Sequence, residues 1–157
     1  MPTLVDLLRH GDAFAADPAG DAARRLSPAG IEAVTRLAVR LATAGPPPLR
    51  IFTSPLARAG ETAAIVAGAF RDGIVPEPLD ALRPDREPAD VVAALATLAP
   101  DAPHVLLVGH QPLLGDLAGW LTDGSSRGLR PGELVRIAFA GPPGRREGRL
   151  LAPFAAG

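Results

Sequence analysis

The sequence predicts an α/β protein, a three-layer α/β/α sandwich around a mixed, mainly parallel central sheet. Three observations carry this expectation. Short apolar runs alternate along the chain with stretches of helical periodicity, the order expected of strands joined by crossover helices. The runs at 3–8 and 105–108 are nearly continuous rather than alternating, as strands covered on both faces are. The last two strand-like segments, 133–140 and 149–154, are joined by a Gly/Pro loop, which makes them an antiparallel hairpin at the sheet edge.

The elements follow in order. Residues 3–8 form the first strand, and the Ala-, Asp- and Gly-rich residues 12–26 form a long loop. Ser27-Pro28 starts a helix, with serine as the cap and proline at the first helical position. Ile31, Val34, Leu37, Ala38 and Leu41 then make one apolar stripe, which Gly45 and Pro46-Pro47-Pro48 end. A strand at 49–53 leads into a helix at about 55–70, and Ile74-Val75 reads as a short strand. A helix at 88–99 precedes the strand 105–108, and a helix at 112–121 follows it. Trp120 shares the stripe of Leu113, Leu117 and Leu121 and belongs to the core on that reading. With no internal repeat and no long linker, residues 1–157 read as one catalytic domain.

Composition narrows the function classes. The chain is 47% hydrophobic and 21% charged, with a formal net charge of −1, so nothing attracts it to nucleic acid or to an anionic membrane. All 16 basic residues are arginine, which removes a lysine nucleophile or Schiff base. The absence of cysteine removes disulfides, thiolate catalysis and zinc–thiolate sites. No apolar run reaches membrane-spanning length and no cleavable leader is visible, so the expected location is the cytoplasm.

Two of the three histidines stand at the ends of apolar runs: His10 after Leu7-Leu8-Arg9 and His110 after Leu107-Val108-Gly109. Ligands of open α/β sheets bind outside the carboxyl ends of the strands, so both imidazoles should face one crevice. Arg9 accompanies His10, and Arg58 joins from the segment Thr53-Ser54-Pro55-Leu56-Ala57-Arg58-Ala59-Gly60-Glu61-Thr62, on the first turn of its helix. Guanidinium forks match phosphate oxygens, and nearby arginines favour the neutral, nucleophilic imidazole. The four side chains therefore point to phosphoryl chemistry. The third histidine, His104, lies at the far end of its strand, about 20 Å from His110 at strand rise, and reads as a surface residue. Arg58 could pair with Glu61 or Asp12. Arg145-Arg146 reads as a solvated hairpin tip, and Arg127-Gly128-Leu129-Arg130-Pro131 as a loop that could border the pocket. There is no P-loop, dinucleotide fingerprint or clustered metal-ligand set.

These segments resemble one family. Leu8-Arg9-His10-Gly11 resembles the RHG signature of the histidine phosphatase superfamily. Ser54-Pro55-Leu56-Ala57-Arg58-Ala59 with Glu61-Thr62 is similar to its SPLxRAxET segment, Gly109-His110 to its second-histidine motif, and Arg24-Arg25-Leu26-Ser27-Pro28-Ala29-Gly30 to its RPLTxxG helix start. The matches run in order along nearly the whole chain. Asp12-Ala13 after the signature, Gln111-Pro112-Leu113-Leu114-Gly115 and the short length resemble the SixA-type phosphohistidine phosphatase branch. The resemblance implies a phosphoglycerate mutase-like fold and a metal-independent, cofactor-free reaction. His10 would attack phosphorus and carry a transient phosphohistidine, Arg9 and Arg58 would hold the phosphoryl oxygens, and a protonated His110 would stabilise their growing charge.

Many superfamily members place a leaving-group acid in the loop after the third strand. Here Asp85 and Glu87 are the candidates, with Asp12 and Glu61 as possible supporting carboxylates. A weak or missing acid suits phosphohistidine, which can leave as neutral imidazole, better than a phosphate ester. The implied partner is a phosphorylated protein. The alternatives are a small phosphate ester as substrate, or a phosphate-binding module without turnover.

Overall fold

The computed structural model describes residues 3–151. Its elements are β1 (Thr3–Arg9), α1 (Pro28–Ala44), β2 (Arg50–Thr53), α2 (Ala57–Phe70), β3 (Glu77–Pro78), α3 (Pro88–Leu98), β4 (His104–Gly109), α4 (Leu113–Leu121), β5 (Leu134–Phe139) and β6 (Arg149–Leu150). They build one sheet in the order β3-β2-β4-β1-β5-β6. The strands β3, β2, β4 and β1 run parallel, and β5 and β6 are antiparallel additions. The mixed sheet of the expected sandwich is thus present, with its antiparallel pair at one edge.

The apolar periodicities sort the helices to the two faces. Leu8, Ile51, Leu106 and Val108 pack with Val34, Leu37, Ala38 and Leu41 of α1 and with Ala59, Ala63, Val66 and Ala67 of α2. On the other face Val5, Leu7, Phe52, Val105 and Leu107 pack with Val91 and Leu95 of α3 and with Leu113, Leu114, Leu117 and Leu121 of α4. Neighbouring residues of β1 thus serve opposite cores, which is why that run cannot alternate apolar with polar.

Several expectations are corrected. The short strand is not Ile74-Val75 but β3, because the Glu77 carboxylate takes two 2.7 Å hydrogen bonds from Arg50 and so fixes the pairing with β2. Ile31 leaves the stripe and is exposed, as it lies on the solvent side of α1. Trp120 is only half-buried, and the Arg145 guanidinium stands 5.8 Å from its ring centroid, so that tip residue folds back onto α4. The loop 12–26 is more ordered than expected: it holds a 3-10 turn, Asp21–Ala23, and an isolated bridge between Ala13 and Leu26. Of the last expected strand, β6 is formed and residues 152–154 lie outside the described residues.

His104 is the largest correction. It is buried, not superficial, and its Nε2 lies 2.7 Å from Asp6 Oδ2. Arg136 of β5 donates to the same carboxylate through Nε at 2.8 Å and Nη2 at 2.9 Å. Burial pushes the Asp6 carboxyl up, but the bonds from Arg136 and His104 together hold it below its ordinary value.

Ser27 caps α1 by accepting the Gly30 N–H at 3.0 Å, with Pro28 at the first position. A side chain at Gly30 would collide with the Asp12 carbonyl, so the glycine is what allows the loop after β1 to lie on the start of α1.

Candidate active site

Parallel strand ends create the site. Arg9 pairs in register with Gly109, and Thr53 with Val108, so the chain leaves β1, β4 and β2 at one level. Backbone bonds continue the ladder past the strands, from His10 N–H to Gly109 O at 3.0 Å and from Ser54 N–H to Val108 O at 2.9 Å. The His10 and His110 rings are thereby brought to 5.1 Å between centroids, tilted by 57°. Both are buried.

The hydrogen bonds define the imidazoles' chemistry. His10 Nδ1 lies 2.7 Å from the Gly11 carbonyl oxygen. A carbonyl only accepts, so Nδ1 carries the hydrogen and Nε2 of the neutral ring keeps its lone pair. Thr62 holds this turn to α2: it accepts the Gly11 N–H at 3.1 Å and donates to Arg58 O at 2.8 Å. His110 Nε2 lies 2.8 Å from the fully buried Ser54 hydroxyl, while its Nδ1 is buried without a partner.

Three guanidinium groups act on this pair. Arg9 donates from Nη1 to the Leu129 carbonyl at 2.9 Å, so the loop 127–131 does border the site. Arg58, buried at the start of α2, donates from Nη1 to Asp21 O at 2.9 Å and from Nη2 to Asp21 Oδ2 at 3.3 Å. Arg24 Nη1 stands 3.4 Å from Asp21 Oδ1. The Nε atoms of Arg9, Arg24 and Arg58 are all buried and unpaired among the described residues. Buried donors without acceptors are costly and uncommon, and here they cluster where an anion would supply the missing acceptors.

Burial and charge together keep the imidazoles neutral. Burial, with added repulsion from Arg58, Arg9 and Arg24, lowers His10 from 6.5 to about 4 against the opposing pull of the Gly11 carbonyl. Burial, then His10, Arg58 and Arg9, lowers His110 to about 3, while Asp21 pulls the other way. The expected protonated His110 is therefore corrected: on the protein's own charges it is neutral at pH 7, because its burial disfavours a cation and Arg58 and Arg9 add repulsion.

The carboxylates are also reassigned. Arg58 pairs with neither Glu61 nor Asp12. Glu61 accepts from Arg25 at 3.2 Å and from the Leu26 N–H at 3.0 Å, and so secures the loop above α2. Asp12 accepts the Ser27 hydroxyl at 2.6 Å, at the start of α1. Glu87 caps α3 in a reciprocal capping box with Asp90. Asp85 is exposed and has no hydrogen bond or ion pair among the described residues. The carboxylate that reaches the arginines is Asp21. Asp21 lies in the loop 12–26, where composition singles out no residue, whereas Arg24 begins the segment that resembles the RPLTxxG helix start. For Asp21 the available signal is its place three residues before Arg24, just ahead of a capped helix. Among the described residues no group of His, Cys, Asp and Glu is placed to hold a metal.

Comparisons with known proteins point to one family and one fold. The family model of the histidine phosphatase superfamily (branch 1) matches residues 5–83. An uncharacterized protein of Picosynechococcus sp. is 37% identical over 143 residues, 89% of this chain and 82% of the relative. The solved structure of the protein histidine phosphatase SixA complexed with tungstate superposes with a TM-score of 0.86 at 25% identity, over 98% of this chain and 97% of that one. A mycobacterial glucosyl-3-phosphoglycerate phosphatase shares the fold, with a TM-score of 0.74 at 18% identity over 99% of this chain and 100% of that one.

Proposed function

Since the chain belongs to branch 1 of the histidine phosphatase superfamily, and is thereby a phosphatase, we propose that it removes the phosphoryl group from phosphohistidine on a protein with His10 as nucleophile. The observation that carries this reading is the fixed, neutral His10 imidazole, its Nε2 lone pair free and three arginines around it with unpaired Nε–H groups.

On this reading His10 Nε2 attacks phosphorus as the substrate's P–N bond breaks. The bonding pair returns to the substrate imidazole, which leaves neutral when its second nitrogen is already protonated. The product of this step is phosphohistidine at position 10. Water then attacks that phosphorus, a proton passes to bulk solvent, and phosphate leaves with His10 restored. Arg9 and Arg58 bind the phosphoryl oxygens throughout. They supply the stabilisation that this loose, charge-spread transition state needs. The phosphoryl group's own charge opposes the repulsion that keeps His110 neutral. His110 therefore gains a proton as that group binds, and shares it with a phosphoryl oxygen.

The choice of a P–N over a P–O bond rests on the carboxylates. An alkoxide needs a proton to leave, and Asp12, Glu61 and Glu87 are committed to capping and loop contacts, Asp21 is held as a carboxylate by Arg58 and Arg24, and Asp85 faces solvent. The likeness to SixA, solved with a tetrahedral oxyanion, supports the same choice.

The test is a parallel assay, without added metal, on a phosphohistidine protein and on a panel of phosphate esters. The expected result is a kcat/KM at least about 100-fold higher for the P–N substrate, with ester turnover limited by its unprotonated leaving group. Equal or better ester turnover would overturn the protein-phosphohistidine assignment and reveal an acid supplied from elsewhere. Phosphate binding without any turnover would make the protein a binding module.

A further inference from the structure

Asp21 receives two different arginines. Its carbonyl oxygen and Oδ2 take the terminal nitrogens of Arg58, and its Oδ1 faces Arg24 Nη1. Each guanidinium is thus held by its outer nitrogens and left with a buried, unpaired Nε–H. Arg9 shows the same arrangement, with the Leu129 carbonyl in the role of Asp21. A guanidinium offers donors on more than one edge, so gripping one edge leaves another for a ligand. The burial gradient agrees: the Asp21 side chain is 65% exposed, Arg24 25% and Arg58 7%, so the carboxylate sits on the solvent side and the cations lie deeper.

We propose that Arg24 is a third phosphoryl-binding arginine, and that Asp21 is the positioning residue that aims Arg24 and Arg58 together. This rests on the phosphatase reading above. The loop that carries both is held firmly enough to do so. Phe14 N–H bonds Arg25 O at 2.9 Å, Ala13 bridges Leu26, Glu61 takes the Leu26 N–H, and Asp12 O packs on Gly30. Arg24 is also close enough to act electrostatically on His10, and Asp21 on His110. Three arginines and one aspartate leave a net charge opposite to that of a phosphoryl dianion. The groups that face His10 are then Arg9 from β1, Arg58 from α2, Arg24 from the loop and His110 from the end of β4.

The experiment uses the full chain with Arg24→Gln, Arg24→Lys, Asp21→Asn and Asp21→Glu. It reads inorganic phosphate affinity by calorimetry, kcat/KM against pH, and the melting midpoint. R24Q is expected to weaken phosphate binding and lower kcat/KM by about 100-fold, the lower end of the loss on removing one oxyanion donor. It should also move the acid limb of kcat/KM to higher pH, because a cation facing His10 is gone. R24K should restore the limb but not the affinity. D21N should lower kcat/KM and move the limb to lower pH, and D21E should recover part of the loss. Unchanged phosphate affinity and an unmoved limb in R24Q, with any lost turnover tracking the melting midpoint, would overturn the proposal while the phosphatase reading stands. If the unaltered protein neither binds phosphate nor hydrolyses either substrate class, the phosphatase reading fails and this proposal falls with it.

Discussion

Two histidine assemblies are built on one stretch of chain, at Asp6 within β1 and at His10 just past its end, and they follow opposite principles. At Asp6, one buried carboxylate is shared by His104 and Arg136 through bonds of 2.7–2.9 Å, so opposite charges meet with good geometry. At His10, three arginines and two imidazoles share a single exposed aspartate that holds two of the arginines, and donors are left over. The first assembly is complete by itself and ties β4, β1 and β5 together. The second is incomplete by itself and becomes balanced only with an anion. Unsatisfied buried polarity, rather than buried polarity as such, separates a binding site from a structural network.

The comparison can be broken most sharply at His10. His10→Gln is expected to lower kcat by at least about 1,000-fold, the usual cost of losing a nucleophile. Phosphate affinity and the melting midpoint at pH 7 should stay close to those of the unaltered protein. A parallel fall in stability would show that His10 is part of the scaffold after all. Asp6→Asn should do the reverse. It removes the shared counter-charge of a buried network and should cost about 3 kcal/mol of stability in denaturant unfolding, with kcat/KM at 25 °C held within about twofold. A large loss of turnover in folded D6N would show that the two assemblies communicate.

The smallest effect is the pH dependence of stability. His10 and His110 titrate near 6.5 when unfolded but near about 4 and about 3 in the fold. Between those values the unfolded chain binds more protons, so stability falls as pH drops from neutrality through that window. Asp6 is shifted in the same direction but in a more acidic window: its carboxyl is depressed from 3.8, so its contribution is present above that value and fades only at lower pH. H10Q should flatten the slope of stability between pH 6.5 and about 4 by close to one proton. D6N should leave that slope alone and change only the more acidic region. A slope unchanged in H10Q would place the depressed imidazole elsewhere.

Much of this was readable in the residues, and the failures share a cause. β1 and β4 were visible because they are covered on both faces and so lack alternation, and Ser27-Pro28 marked a helix start through local chemistry alone. Arg9, His10, Arg58 and His110 came together because strand ends converge in any such sheet. What escaped was set by partners distant in sequence. Ile74-Val75 has the better strand propensity, yet Glu77 wins because Arg50 reaches it from the adjacent β2. His104 has the sequence position of a strand's surface end, and what holds it in the fold is the Asp6 carboxylate of β1, itself fixed by Arg136 of β5. Asp21 stands in a loop with no periodicity, and its importance comes from Arg58, thirty-seven positions away. The charge state of His110 depends on the sum of surrounding cations, which no single motif carries.

A cradle made of guanidinium alone has one further consequence. Arginine keeps its charge far into alkaline conditions, and the chain has no lysine to lose a proton earlier. From neutrality upward the pocket therefore behaves as a fixed electrode, with the same field at pH 7 and at pH 10. With the arginines fixed, an alkaline decline in rate has two sources on the proposed reading: the substrate's phosphoimidazole and the proton that His110 takes up on binding.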